Sequence, residues 1–260
     1  MIIRDRTTVT LVKVEEVMRT SLITLSLDST LEEAVQVMSN IDAGRVVILE
    51  GEEVRGILST RDIVELFATL GKDMLKLSVS SVAKQGVTTV APRDELEIAV
   101  RKMLWGGFGG LPVVENGKLV GLLSEREILK VVSRSQSTGI VDSVMTSSLV
   151  TTSPDTPIRD IAKLMANRKV RRLPLLEGEE VKGIVTAADL VKGLKKGGEK
   201  AIEVGSKSVI WCMRETHLRD AASIMVERRI GSLIVGKGEK KPEGIVTERD
   251  LLFGSLNVIQ

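Results

Sequence analysis

The 260-residue sequence holds one cysteine, Cys212, and one histidine, His217. A single cysteine excludes an internal disulfide framework and fits a reducing compartment. A single histidine excludes a histidine-based metal centre, so no metal requirement is expected. His217 lies between Thr216 and Leu218 at a helix start, where a surface residue is the expectation. Charge of one sign is missing too. The net charge is +2 and the bases are spread among almost as many acids, so no long-range field advertises a nucleic-acid or membrane surface. No apolar stretch approaches the roughly 18 residues of a membrane span, and the opening MIIRDRTTVT has no apolar signal region. A cytoplasmic protein is expected. No P-loop or paired-carboxylate motif is present either, which argues against an enzyme.

What the sequence does have is repetition. GILSTRDIV, GLLSEREIL, GIVTAADLV and GIVTERDLL begin at Gly56, Gly121, Gly183 and Gly244, at steps of 65, 62 and 61 residues. Each is a glycine, two aliphatics, a hydroxyl, two variable residues, an acid and two aliphatics. One structural unit is therefore copied four times. Before each phrase lies an apolar helical face: Leu31, Ala34, Val35 and Met38, then Leu96, Ala99, Val100 and Met103. Ile158, Ile161, Ala162 and Met165, then Leu218, Ala221, Ala222 and Met225, repeat it. The four methionines suit core packing. Ser29 and Glu32 stand in capping-box spacing at the first helix start.

Between helix and phrase, aliphatic runs flank a polar glycine-containing turn, and Asn116-Gly117 is the strongest hairpin signal among them. With a first strand ending at Thr24, Thr89, Thr151 or Trp211, one unit reads β-α-β-β-α, an α/β (α+β) fold. Units of about sixty residues with three short strands are marginal alone, so adjacent copies are expected to pair. The polar stretch SRSQSTG at 133–139 sets the main boundary, giving modules 1–134 (repeats about 7–70 and 76–134) and 135–260 (repeats about 138–196 and 199–256).

The phrase itself supports two readings. A hydroxyl three residues before an acid is a capping box, which fits Ser124 with Glu127 well. Asp62, Asp189 and Asp250 are shorter than the box prefers. A carboxylate at a helix start can instead hold ribose hydroxyls, with the helix N-terminus and a Ser or Thr favouring phosphate. Arg45 and Arg172 occupy equivalent positions before the hairpins, where Gly110 and Ser232 stand in the other copies, and Arg171 precedes Arg172. Such guanidinium groups suit an anion. Arg61, Arg126 and Arg249, just before the acid, read as solvated residues pairing locally.

The fourfold phrase, the strands GLPVV and RLPLL, and the leading VEEVM and VDSVM segments resemble cystathionine-β-synthase (CBS) domains over about residues 7–256. The resemblance implies two Bateman modules, as in archaeal stand-alone CBS proteins and the γ subunit of AMP-activated protein kinase. It further implies a non-catalytic, energy-sensing regulator that binds AMP, ADP or ATP between paired repeats. Carried over, the ribose acids are Asp62, Asp189 and Asp250, and the hydroxyls are Ser59, Thr186 and Thr247. The first-strand threonines are Thr24, Thr89 and Thr151, and Arg45, Arg171 and Arg172 form the basic slot, with Arg249 as a further candidate. Departures are Glu127, Gly110, Ser232 and Trp211, so repeats one and three are expected to carry the occupied sites, with Trp211 filling a pocket. Alternatives are a scaffold with mostly empty clefts, an S-adenosyl ligand, or nucleic acid through Lys195, Lys196, Lys200, Lys240 and Lys241. A homodimer or a regulated partner protein is expected.

Overall fold

The computed structural model describes residues 11–41, 43–83, 86–237 and 241–259. The expected start of the first repeat near Thr7 and the lysine at 240 lie outside them. After a short helix α1 (Val14–Val17), repeat one runs β1 (Thr24–Ser26), α2 (Leu31–Asn40), β2 (Arg45–Glu50), β3 (Glu53–Ser59) and α3 (Thr60–Leu70). Repeat two contributes α4 (Leu96–Gly106), β4 (Gly110–Glu115), β5 (Lys118–Ser124) and α5 (Glu125–Val132). Repeat three contributes α6 (Ile158–Arg168), β6 (Arg172–Glu177), β7 (Glu180–Thr186) and α7 (Ala187–Lys196). Following α8 (Ala201–Val204), repeat four runs β8 (Trp211–Cys212), α9 (Leu218–Arg228), β9 (Ser232–Val235), β10 (Gly244–Thr247) and α10 (Glu248–Gly254).

Each hairpin is antiparallel, and the first strand adds to it in parallel: β1 beside β2, and β8 beside β9. In repeats two and three the first strand shrinks to a single bridge, Val90 with Val113 and Thr152 with Leu175. The strand thus starts at Thr24 or Trp211, where the sequence reading had it end. Asn116 and Gly117 both take positive φ (51° and 79°), the geometry that closes a two-residue hairpin along the strand twist. The cap of α2 is one residue later than the spacing suggested. Thr30, not Ser29, accepts from the Glu33 amide, and the Glu33 carboxylate accepts from Thr30 N at 2.8 Å.

Adjacent repeats exchange their leading segments. Val14 N donates to Asp94 O and Leu96 N to Val12 O, while Arg19 and Leu122 exchange both backbone bonds, so the leader of repeat one lies on repeat two. Reciprocally, Val79 N donates to Ser29 O and Leu31 N to Leu77 O. Repeats three and four do the same through Val141 with Thr216 and Ala201 with Thr156. The apolar helix faces meet in the other direction. Repeats one and three share one buried cluster, including Met38, Ile63, Met165 and Leu190. Repeats two and four share a second, with Met103, Ile128, Met225 and Leu251. All four helix-face methionines are buried, each 2% exposed or less, and act as core filler. This crossed packing brings all four phrases to the middle of the molecule.

Candidate functional site

Every phrase turns from strand to helix at its hydroxyl, so the acid sits in the first helical turn. At Ser59/Asp62 the Oδ2 atom of Asp62 accepts from Ser59 N at 2.8 Å and Ser59 Oγ at 2.6 Å. Asp189 does the same with Thr186 (2.8 and 2.7 Å), and Asp250 with Thr247 (2.8 and 2.8 Å). Aspartate therefore closes the capping box in three repeats. In repeat two Ser124 Oγ donates to the Glu127 carboxylate, yet Ser124 accepts no amide bond, so the pair expected to fit the box best does not form it.

Two cavities open among these turns. The larger, about 700 Å³, takes Ser59 and Asp62 from repeat one and Thr247 and Asp250 from repeat four. Its walls include Gly86–Val87–Thr88, Ser148–Leu149–Val150 and Phe108. The smaller, about 320 Å³, holds Thr186 and Asp189, with Ser208–Val209–Ile210 and the Ser124–Glu127 turn. The strips 86–88, 148–150 and 208–210 are equivalent positions just before the first strands. Each faces the phrase of the adjacent repeat rather than its own, because neighbours exchange leaders. The equivalent strip of repeat one, residues 21–23, lines neither cavity. Arg19 enters the smaller one instead, and its Nε is buried without a hydrogen-bond partner among the described residues.

Between the cavities lies an arginine centre: Arg45, Arg171 and Arg172 border both. Arg171 Nη2 pairs with Glu125 at 3.0 Å, and Arg249 reaches the other Glu125 oxygen at 2.8 Å while donating to Phe108 O at 2.6 Å. Arg172 donates to the Gly231 carbonyl. Burial works against every charge here. It holds Arg45 and Arg172 below the usual arginine range, Arg172 further through its neighbour Arg171, whereas at Arg171 burial is outweighed by Glu125 together with Glu248 and Asp250, which hold it above. Burial likewise pushes Glu248 and Asp250 above the usual carboxylate range. For Glu125 burial is outweighed by Arg171, Arg45 and Arg249, which hold it below. The centre is thus a cationic wall in a poorly hydrated place, suited to an anion of fixed geometry.

Of the residues singled out in the sequence, Ser59, Asp62, Thr247, Asp250 and Arg249 line the larger cavity, Thr186 and Asp189 the smaller, and Arg45, Arg171 and Arg172 both. Thr24, Thr89 and Thr151 line neither. Thr89 and Thr151 stand one residue beyond the strips Gly86–Val87–Thr88 and Ser148–Leu149–Val150 that line the larger cavity. Trp211 does not fill a pocket: its ring packs beside Gly236, with Cζ3 3.0 Å from where a Cβ there would stand. Arg61 pairs locally with Glu65 at 3.0 Å as expected, but Arg249 spans to repeat two. Of the candidate surface lysines, Lys200 pairs with Asp155 and Lys241 with Glu179, and Lys195 donates to Asn40. The sequence reading missed Glu125 and Phe108. The signal for Phe108 was there in Gly106-Gly107-Phe108-Gly109-Gly110, a lone aromatic among four glycines. Among the described residues no His, Cys, Asp or Glu cluster could hold a metal, and no helix is long and apolar enough to cross a membrane.

The family model described as CBS domain matches the sequence four times, at residues 14–69, 79–134, 141–196 and 201–256. The chain belongs to the CBS-domain family. It is 32% identical over 228 residues to a 33.4 kDa protein of the ribosomal RNA operon of Thermofilum pendens, covering 76% of each chain. It is 24% identical to protein MJ1225 of Methanocaldococcus jannaschii, over 89% of this chain and 94% of that one. The crystal structure of MJ1225, titled as a candidate archaeal homologue of g-AMPK, superposes with a TM-score of 0.83 at 22% identity, covering 93% of this chain and 99% of that one. A conserved protein of Pyrococcus horikoshii gives a TM-score of 0.65 at 21% identity, with the same two coverages. At these identities the superpositions establish the four-repeat fold. The CBS repeats fill the chain almost from end to end.

Proposed function

We propose that this CBS-domain protein is a regulatory module that binds adenosine nucleotides, AMP, ADP or ATP, in the clefts between paired repeats and has no catalytic activity of its own. The observation that carries the reading is the larger cavity. Asp62 and Asp250, each closing the cap of its helix, line it together with the apolar side chains of Val87, Leu149 and Val150 and with Arg45, Arg171, Arg172 and Arg249. Carboxylate for ribose, apolar slot for a base and guanidinium for phosphate are the three recognitions a nucleotide needs. Its volume, about 700 Å³, is within the range of small-molecule sites and has room for more than one such ligand.

On this reading modules 1–134 and 135–260 are the regulatory units, supported by their reciprocal exchange of leader segments. A ligand bound between two repeats would bias their spacing, and a partner protein or a second copy would read it. Isothermal titration of the purified protein, after removal of carried-over ligand, tests the proposal. Saturable heat with AMP, ADP or ATP and intact ATP after long incubation are expected. Empty clefts under all three nucleotides would favour a scaffold, and mass spectrometry of released ligands would identify an S-adenosyl occupant.

A further inference from the structure

Both cavities border Arg45, Arg171 and Arg172, while Arg61 and Arg249 line only the larger and Arg19, Arg126 and Arg229 only the smaller, and different acids stand beside the shared three. Glu125, Glu127 and Glu248 border only the smaller cavity, whereas the acids of the larger one, among the described residues, are Asp62 and Asp250. Of the three glutamates, Glu125 is the one fixed in the centre. Its side chain is 3% exposed, and its two oxygens are held separately, by Arg171 at 3.0 Å and by Arg249 at 2.8 Å. Those arginines keep it ionised against the cost of burial. It follows directly after the hydroxyl of its phrase, where repeats one and three have Thr60 and Ala187. A phosphate approaching Arg171 from the smaller cavity meets a fixed negative charge on the same guanidinium. From the larger cavity it meets the two arginines with that charge behind them.

We propose that Glu125 is a specificity-determining residue that sorts ligands by charge: phosphate-rich groups go to the Asp62/Asp250 cavity, and the Asp189 cavity is left to ligands of low negative charge. This rests on the nucleotide-binding reading and adds to it which side of the centre the phosphates take. A unit charge several ångströms away in a partly hydrated interior changes anion affinity by roughly tenfold to a hundredfold, enough to set occupancy at ordinary ligand concentrations.

The test uses the full chain and Glu125→Gln, co-crystallised with ATP and, separately, with sodium pyrophosphate, beside calorimetry with ATP. In the parent, phosphate density is expected at Arg171 and Arg249 on the Asp62/Asp250 side with either probe. In the variant, ATP stoichiometry rises and new density appears on the Asp189 side. Phosphate on the Glu125 side in the parent would overturn the proposal, as would a folded variant with unchanged ATP stoichiometry. Should the variant not fold, the parent crystals decide alone. Should no nucleotide bind, the functional reading falls while the position of pyrophosphate still decides the sorting, and absence of pyrophosphate from the larger cavity overturns it.

Discussion

Arg45 of repeat one lies across Gly110 of repeat two: a Cβ at Gly110 would stand 3.2 Å from Arg45 Cδ and 2.8 Å from the Leu123 carbonyl oxygen. In the other pair Arg172 lies over Gly231, with Nη1 3.0 Å from where a Cβ there would be. Gly110 looked in the sequence like a basic slot left vacant. It is better described as the space into which its neighbour's arginine fits.

Gly110→Ala should therefore cost about 1–3 kcal/mol, the range for overpacking a filled interior, because the Leu123 carbonyl is strand backbone and cannot give way as a side-chain tip can. Gly44→Ala, where nothing stands within 4 Å of the new methyl, serves as the control. Its change should stay within about 0.5 kcal/mol. Urea denaturation of the two variants measures both, and equal costs would show that the Gly110 contact is relieved by a small shift.

At Asp189 the capping role and the proposed ligand role separate by chemistry. Asparagine keeps an oxygen that can accept from Thr186 N, so Asp189→Asn should hold the cap while losing the charge-assisted bond to a ribose hydroxyl. Its affinity in the smaller cavity for a ribose ligand of low negative charge, such as adenosine, should fall by roughly 1.5–3 kcal/mol. Asp189→Ala should lose affinity similarly and also about 1 kcal/mol of stability from the missing cap. Calorimetry paired with thermal melts reads the two effects. An Asn variant with undiminished affinity would leave Asp189 a helix cap only.

The repeat, its element order and its core faces were legible because they are local: periodicity and turn chemistry specify a helix or hairpin from a dozen residues. The acids and hydroxyls were legible for the same reason, since each pair lies within one turn. Grouping them into sites was not. Asp62 works with the strip at 86–88 and Asp250 with that at 148–150, which follows only from the exchange of leaders between neighbours. Thr151 was one residue off, because the strip that lines the cavity ends at Val150. Glu125 looked like a variable position within the phrase because its partners lie 46 and 124 residues away.

Cys212 should be a quiet thiol. It is buried, and burial pushes its pKa up to about 11, so at pH 8 roughly one molecule in a thousand carries the reactive thiolate. Iodoacetamide should label the native protein far more slowly than the guanidinium-unfolded chain. Native labelling at the unfolded rate would mean that the core of repeats two and four opens readily around this residue.

Glu248 should make the protein less stable as pH rises. Burial raises its pKa above the ordinary 4.5, Glu125 adds to the rise, and Arg172 and Arg126 only partly oppose it, Arg126 from 4.0 Å. The folded state therefore holds this proton more tightly than the unfolded chain does. Between the unfolded and the folded pKa the native protein binds the extra proton, so stability falls as pH climbs through that interval, and the penalty is complete above it. Glu248→Gln cannot ionise and escapes the penalty. At pH 8 it should be more stable than the parent, and the advantage should shrink as pH falls through that interval and vanish below the unfolded pKa. Asp250 is raised in the same direction, but it is common to both proteins and drops out of the difference. Urea midpoints of the two across pH 4.5 to 8 supply the measurement. A variant weaker than the parent at pH 8 would mean that Arg172 needs the Glu248 charge more than the fold is harmed by burying it.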